Sequence, residues 1–399
     1  MFSNFYKGRR VFVTGHTGFK GSWLCEWLLS LGAEVAGYAL DPQPHEVLYK
    51  QLQLGSRISE DHRSYISDLA KIQQVISSFK PDVIFHLAAQ PLVRLSYEQP
   101  VETFATNVMG TVNLLEAVRR WNHSCSVVCV TTDKCYENKE WLHAYREADP
   151  MGGHDPYSAS KGATELVIAS YRNSFFSSAV PCSLSPVPSS SPFIRLASAR
   201  AGNVIGGGDW AVDRIIPDCV RAIRAGQAIP VRNKIATRPW QHVLEPLSGY
   251  LTLGAELGKP ESRKQKAEIE EIDANADTDT FQLSAFNSQL FCSPFNFGPQ
   301  ITSNRTVAEL VQELLKHTGG EWSDATDPNA VHEASKLNLA IDKAFHLLAW
   351  KPVWSFEETI SQTATWYLAE ARGEDPKALT QSQIHAYHQA ATQLGLSWA

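Results

Sequence analysis

Tyr157 and Lys161 stand four residues apart in "DPYSASKGATELVIASYR". On a helix this spacing puts both side chains on one face, where an ammonium beside a phenol favours the tyrosinate. A phenol tuned in this way is a base for a sugar or alcohol hydroxyl. Tyr and Lys at this spacing also make ordinary surface contacts, so the rest of the chain decides what the pair is for.

Upstream, the apolar run in "VVCVTTDKCYEN" delivers Thr132, Asp133 and Lys134 at its end. The Thr132 hydroxyl can hydrogen-bond a reacting hydroxyl, Asp133 is an acid if burial keeps it protonated, and Lys134 adds a second titratable group. Standing alone in a loop, an Asp-Lys pair would be solvated charge.

A third piece of chemistry lies in "VFVTGHTGFKGSWL", residues 11–24. A short apolar run ends, the backbone turns and a helix opens, which aims free N–H groups and the positive helix end at an anion. One glycine takes positive φ, one lets a diphosphate approach the backbone, and one lets helix pack on strand. Gly15, Gly18 and Gly21 are therefore expected to cradle a dinucleotide, with His16, Thr17 and Phe19 inside the turn. An oxidised nicotinamide would add a second positive charge favouring the Tyr157 tyrosinate. Where an acid is expected on the adenosine ribose the chain has Ala39, with Asp41 two residues later. No arginine within residues 39–49 could hold a 2′-phosphate, so NAD is expected rather than NADP.

Positioning these groups requires a frame. Across the first 135 residues "VFVTG", "AEVAGYAL", "SYISDL", "DVIFHLAAQ" and "SVVCVTT" alternate with helix-length amphipathic segments, the pattern of a parallel sheet with crossover helices. The expected fold is α/β, a doubly wound parallel sheet of Rossmann-like type over residues 1–204. A smaller α/β lobe is expected over residues 205–399, with some segments returning to the sheet. Trp23, Trp27 and Leu31, with Leu24 and Leu28, recur at intervals of four before Gly32, a helix stop. A Pro/Ser-rich stretch at 181–192 and a polar one at about 262–290 read as surface insertions.

Composition removes several function classes. The 399 residues are 43% apolar and carry a net charge of -6 with no basic stripe, which argues against nucleic acid as a partner. Seven cysteines without a CxxC pair, and no His cluster at metal spacing, argue for a reducing compartment and against a bound metal. No segment reads as a signal peptide or approaches the roughly 20 apolar residues of a membrane span, so a cytoplasmic protein is expected.

Taken with "HLAAQPLVRLSYEQP", "NVMGT", "YREADPMGGHDPYSASK", "RAGNVIGGGDW" and "RPWQHVLEPLSGY", these motifs resemble the extended short-chain dehydrogenase/reductase superfamily. Within it they are most similar to the nucleotide-sugar 4,6-dehydratases that act on CDP-glucose. The resemblance implies that Tyr157 deprotonates O4 while hydride passes from C4 to NAD. The C5 proton and the C6 hydroxyl are then eliminated as water, and the hydride returns to C6. Dehydratases of this group commonly carry Thr-Asp-Glu; here Asp133 takes the acid position and Lys134 stands where the base is expected.

The resemblance also assigns binding roles. It puts Asp68 and Leu69 at the adenine, although Asp68 reads equally well as a helix N-cap. Leu87, Ala88, Ala89 and Gln90 would border the nicotinamide, whose ribose Lys161 would hold. Gln90 and Arg94 would face the sugar, Asn203 and Arg238 the diphosphate, and Val231 and Arg232 the base, with Arg305 or His332 closing the site. His86 reads as a satisfied core histidine. Helices near 101–120 and 157–173 imply a homodimer. A 4-epimerase shares Tyr157 and Lys161, but the charged pair Asp133 and Lys134 argues against it. A noncatalytic dinucleotide sensor would have no use for the Tyr/Lys pair.

Overall fold

Runs of apolar, β-branched residues form the middle of one sheet, and their alternation is buried on both faces. The strands are β1 Arg10–Thr14, β2 Glu34–Ala39, β3 Glu60–Arg63, β4 Val83–His86, β5 Cys125–Val130 and β6 Ile194–Ala201. Short strands follow at β7 Val204–Ile205, β8 Ile229–Val231, β9 Thr237–Pro239, β10 Gln241–His242, β11 Pro294–Phe297, β12 Asn304–Thr306 and β13 Trp322–Asp324. The structure is a computed structural model that describes residues 1–176, 193–259, 290–326 and 336–399. The expected insertion at 181–192, and that at 262–290 except for its last residue, lie outside the described residues.

Seven strands form one sheet in the order β11-β6-β5-β4-β1-β2-β3. Every pairing in it is parallel. Val11, Val13, Val83, Phe85, Val128 and Val130 face one core. Phe12, Ile84, Val127 and Cys129, the alternate residues, face the other. Helices cover both faces, as a parallel sheet requires, and each fully buried Val or Phe side chain contributes roughly 1.5–3 kcal/mol. β1 and β4 lie side by side while the chain winds outward from them in both directions, which opens a crevice beyond their carboxyl ends.

The third strand differs from expectation. "SYISDL" is not a strand; β3 is the polar run Glu60–Arg63 just before it. A strand at the sheet edge pairs on one side only and tolerates this polarity. β11 returns from the second half of the chain to the opposite edge. The β8–β13 and β9–β12 pairs are separate two-stranded sheets in the stretch expected to form the smaller lobe, where helices Ile215–Arg224 and Val307–Thr318 also lie. Among the described residues no helix is long and apolar enough to cross a membrane.

Candidate active site

The glycine turn is built by steric necessity at two of its three glycines. Gly15 has φ +74°, and a Cβ there would lie 2.8 Å from the Ala88 amide nitrogen. A Cβ on Gly21 would lie 2.1 Å from the Gly15 carbonyl oxygen, so helix Phe19–Ser30 could not seat against the turn. Gly18 caps that helix without a side-chain acceptor, and its own Cβ position meets only ordinary contacts. The cradle suits a phosphate group, whose oxygens meet the first amides of the helix.

From this turn a cleft of about 1340 Å³ runs along the carboxyl ends of the strands toward the smaller lobe. Gly15, Thr17, Gly18, Phe19 and Gly21 line it, as do Leu87, Ala88, Ala89 and Gln90 after β4. His16 does not. Its ring is fully buried against Gly37, with Nε2 2.9 Å from an Asp61 carboxylate oxygen, so the turn uses this side chain structurally. Asp68 and Leu69 are also outside the cleft: Asp68 accepts the Lys71 amide at 3.0 Å as a helix N-cap, and Leu69 packs on the core. Ser64, Tyr65, Ile66 and Ser67 take that part of the wall.

At the ribose end an arginine arrives from a neighbouring strand. Arg63 donates to the Leu40 carbonyl at 3.2 Å and to Asp61 at 2.8 Å, and lies 3.8 Å from Asp41. The expectation that no arginine stands there counted only residues close in sequence. This guanidinium is already committed to Asp61, and Asp41 points to solvent, 88% exposed.

Helix Pro156–Tyr171 holds the Tyr/Lys pair. Asp155 caps it by accepting the Ser158 amide at 2.9 Å, and Pro156 starts it with a pre-set φ. Gly162 lets the backbone at Gly152 pass so closely that a Cβ would sit 2.5 Å from the Gly152 carbonyl oxygen. Tyr157 and Lys161 are buried and both line the cleft. Burial lowers the Lys161 amine to about 8, while the Glu165 carboxylate pulls it up. The Tyr157 phenol is not lowered as expected: burial pushes it up to about 12, against a hydrogen bond with Thr132 that pulls it down. In this enclosed wall desolvation of the tyrosinate outweighs the neighbouring cations.

Thr132 and Lys134 line the cleft at the end of β5. Asp133 sits just behind them, 1% exposed, and accepts the Thr132 hydroxyl at 2.9 Å. Its Oδ2 has no hydrogen-bond partner among the described residues and faces Gly202. Burial raises its carboxyl above the usual range, the state an acid requires.

The substrate-side expectations divide. Asn203, Arg94, Arg232 and Arg238 line the cleft. Arg238 is 6% exposed and donates to the Thr237 carbonyl at 2.9 Å. Val231 faces the core, because side chains alternate along β8 and put Pro230 and Arg232 into the cleft instead. Arg305 lies outside the cleft, 3.6 Å from Glu309 and over the Phe356 ring. His332 lies outside the described residues. Gln90 lines the cleft, but its side chain donates to Thr103 at 2.9 Å and to the Leu92 carbonyl at 3.1 Å. His86 bridges Thr14 and Thr111 at 2.7 and 3.0 Å, a satisfied core histidine.

Two groups escaped the sequence reading. Lys20, inside the glycine turn, lines the cleft with its ammonium 3.5 Å from the Tyr250 hydroxyl, and burial lowers its amine to about 7. The signal was available, since a lysine between two turn glycines is a charge aimed at the same anion. Asn107 donates to Ser160 at 2.8 Å and accepts the Gln90 amide at 2.8 Å, tying the turn after β4 to the Tyr/Lys helix. It opens the "NVMGT" motif, but nothing local to that motif shows which partners it meets. Among the described residues no cluster of His, Cys, Asp or Glu could hold a metal.

The chain has recognisable relatives. A family model described as GDP-mannose 4,6 dehydratase matches residues 12–363. A CDP-glucose 4,6-dehydratase from Salmonella typhimurium is 44% identical over 390 residues, covering 98% of this chain and 99% of that protein. Among solved structures, a dTDP-glucose 4,6-dehydratase from Streptomyces venezuelae, determined with NAD bound, superposes with a TM-score of 0.70 at 20% identity, covering 92% of this chain and 99% of that one. A UDP-glucose 4-epimerase from Thermotoga maritima gives 0.68 at 18% identity, over 91% and 99% of the two chains. These structural likenesses establish the fold.

Proposed function

The chain belongs to the GDP-mannose 4,6 dehydratase family, and from that premise we propose that it converts CDP-glucose to CDP-4-keto-6-deoxyglucose and water, with NAD as a regenerated cofactor. The observation that carries this reading is the buried carboxyl of Asp133 behind Thr132, whose Oδ1 accepts the Thr132 hydroxyl and whose Oδ2 has no hydrogen-bond partner among the described residues, next to a Tyr/Lys pair. An enzyme that only oxidises and re-reduces a hydroxyl needs no second acid there; one that expels water does.

NAD, held at the glycine turn and by Lys161, would supply a reversible hydride acceptor for the chemistry at C4 and C6. The glycine turn fits its diphosphate, because Gly15, Gly18 and Gly21 line the cleft where helix Phe19–Ser30 opens with no side-chain cap on its first amides. Tyr157 removes the O4 proton, and Lys161, one turn along the same helix, stabilises the phenolate. Thr132 orients the O4 hydroxyl. Lys134, half-buried in the cleft wall, removes the C5 proton once C4 is a ketone. Asp133 sends its proton through the Thr132 hydroxyl to the departing C6 oxygen. Arg238 and Asn203 hold the diphosphate and Arg94 and Arg232 the cleft mouth, because a guanidinium fork matches phosphate oxygens.

A homodimer follows from the same reading. Val101, Phe104, Met109 and Leu166 are exposed apolar residues on the segments expected to pair with a second copy. Leu166→Glu should then lower the mass measured by light scattering.

Incubation with CDP-, dTDP-, UDP- and GDP-glucose without added reductant tests the proposal. Loss of one water from the CDP sugar alone is the expected result. Interconversion of glucose and galactose forms with no loss of mass would replace it with 4-epimerisation.

A further inference from the structure

Glu165 continues the stripe of Tyr157 and Lys161, four residues farther along the same helix face. It is 4% exposed, and its two oxygens accept from three partners. They are the Thr131 hydroxyl, the Ser198 hydroxyl at 2.8 Å and the Arg200 guanidinium at 2.8 Å. Arg200, on β6 and 3% exposed, donates onward to the Tyr136 hydroxyl at 2.8 Å and to the Glu147 carbonyl at 3.0 Å. The Tyr136 hydroxyl donates to Asn296 of β11 at 2.7 Å.

This geometry brackets the catalytic triplet. Thr131 immediately precedes Thr132, and Tyr136 follows Lys134 by two residues. Both ends of the Thr132–Lys134 segment are therefore tied to one carboxylate–guanidinium pair, and that pair stands on the helix that carries Lys161. We infer that Glu165 is a positioning residue, registering Thr132, Asp133 and Lys134 against Lys161 through its ion pair with Arg200. The inference rests on the reading of Tyr157 and Lys161 as catalytic.

Stability alone does not explain the pair. Desolvating two ions costs several kcal/mol each, and apolar side chains of the same volume commonly serve a core as well or better. Removing one partner is a different matter, since it leaves the other charge buried without compensation.

The charge also acts on Lys161. That amine is faced by Glu165 from its own helix, Cys129 on β5, Cys135 after β5, His86 on β4 and Lys20 in the glycine turn. Of these, Glu165 alone is a carboxylate. Arg200 and Arg172 face Glu165 from the other side. Glu165→Gln keeps the shape, removes the anion and leaves the Arg200 cation behind, so the Lys161 amine loses its proton at lower pH. Activity that needs charged Lys161 then falls at lower pH as pH rises.

Three variants test this. In Glu165→Gln, kcat should fall about 10- to 100-fold, the loss expected of misplaced groups, with KM for CDP-glucose within about threefold of wild type. The alkaline limb of its kcat–pH profile should move to lower pH, and Glu165→Asp should move it back. Thr131→Val, which keeps both charges and removes one link, should lower kcat without moving the limb. A Glu165→Gln protein with a lower melting temperature but wild-type kcat and limb would make the pair merely structural and overturn the inference. If that variant does not fold, unchanged kcat in Thr131→Val overturns it. A wild type that leaves CDP-glucose unchanged would contradict the catalytic reading, whereas normal wild-type turnover with unaffected variants would contradict the role of Glu165 alone.

Discussion

The two walls of the cleft handle charge in opposite ways. On the sheet side Thr132, Asp133, Tyr157 and Lys161 are buried, and the carboxylate behind them is fully hydrogen-bonded. On the lobe side the Asp213 and Arg232 side chains are 40% and 43% exposed and pair at 2.6 Å, and Asp213 also meets Arg94 of the sheet half, 55% exposed, at 3.3 Å. Arg232 also reaches Asp218 at 2.7 Å. Buried groups with fixed partners keep their geometry through a reaction, which is what preorganised stabilisation requires. Exposed pairs are worth about 0–1 kcal/mol, so an incoming diphosphate can displace the acids from these arginines at little cost. Charge is fixed on one wall and exchangeable on the other.

Variants should respect this division. Tyr157→Phe removes the base on the fixed wall and should lower the rate of C4 oxidation about 10²- to 10⁴-fold, read as reduced NAD formed in a single turnover. Next comes Lys134→Met. It should leave C4 oxidation intact and stop elimination, so that reduced NAD accumulates and the C5 proton no longer exchanges with deuterated solvent. Normal turnover in that variant would remove Lys134 from the mechanism. Arg238 lies between the two regimes, on the lobe side but buried, and Arg238→Met should raise KM for CDP-glucose about 30-fold or more with little change in kcat, a loss of about 2 kcal/mol or more. The smallest effect belongs to the exchangeable pairs. Asp213→Asn frees Arg94 and Arg232 from a competing acid and should lower KM by no more than about fivefold, an effect that fades at high salt. A large loss of kcat in Asp213→Asn would erase the distinction between the walls.

Legibility in the sequence follows the range of the interactions involved. Tyr157 with Lys161, the three turn glycines and the Thr132–Lys134 triplet are local patterns, and local geometry carries them to the cleft, Asp133 just behind its wall. The seven-stranded sheet was legible for the same reason in its apolar strands, whereas polar β3 was hidden because an edge position removes the need for apolar residues. Where side-chain direction mattered, residue type alone misled. Val231 and Arg232 were grouped together, but strand alternation sends one to the core and the other to the cleft. His16 is drawn off by Asp61 of β3, and Arg305 by the distant Phe356 ring and by Glu309 four residues on. Arg63 and Arg200 are the converse: Arg63 reaches Asp41 and the Leu40 carbonyl beyond the neighbouring strand as well as Asp61 along its own, and Arg200 meets Glu165 of the Tyr/Lys helix.

The central claim is that hydrogen removed from C4 returns to C6 of the same sugar while water leaves. CDP-glucose carrying deuterium at C4 tests it most directly. The account predicts a product lighter by one water with deuterium in its C6 methyl group. Deuterium that remains at C4 of an epimerised sugar, or that washes out to solvent, would contradict it.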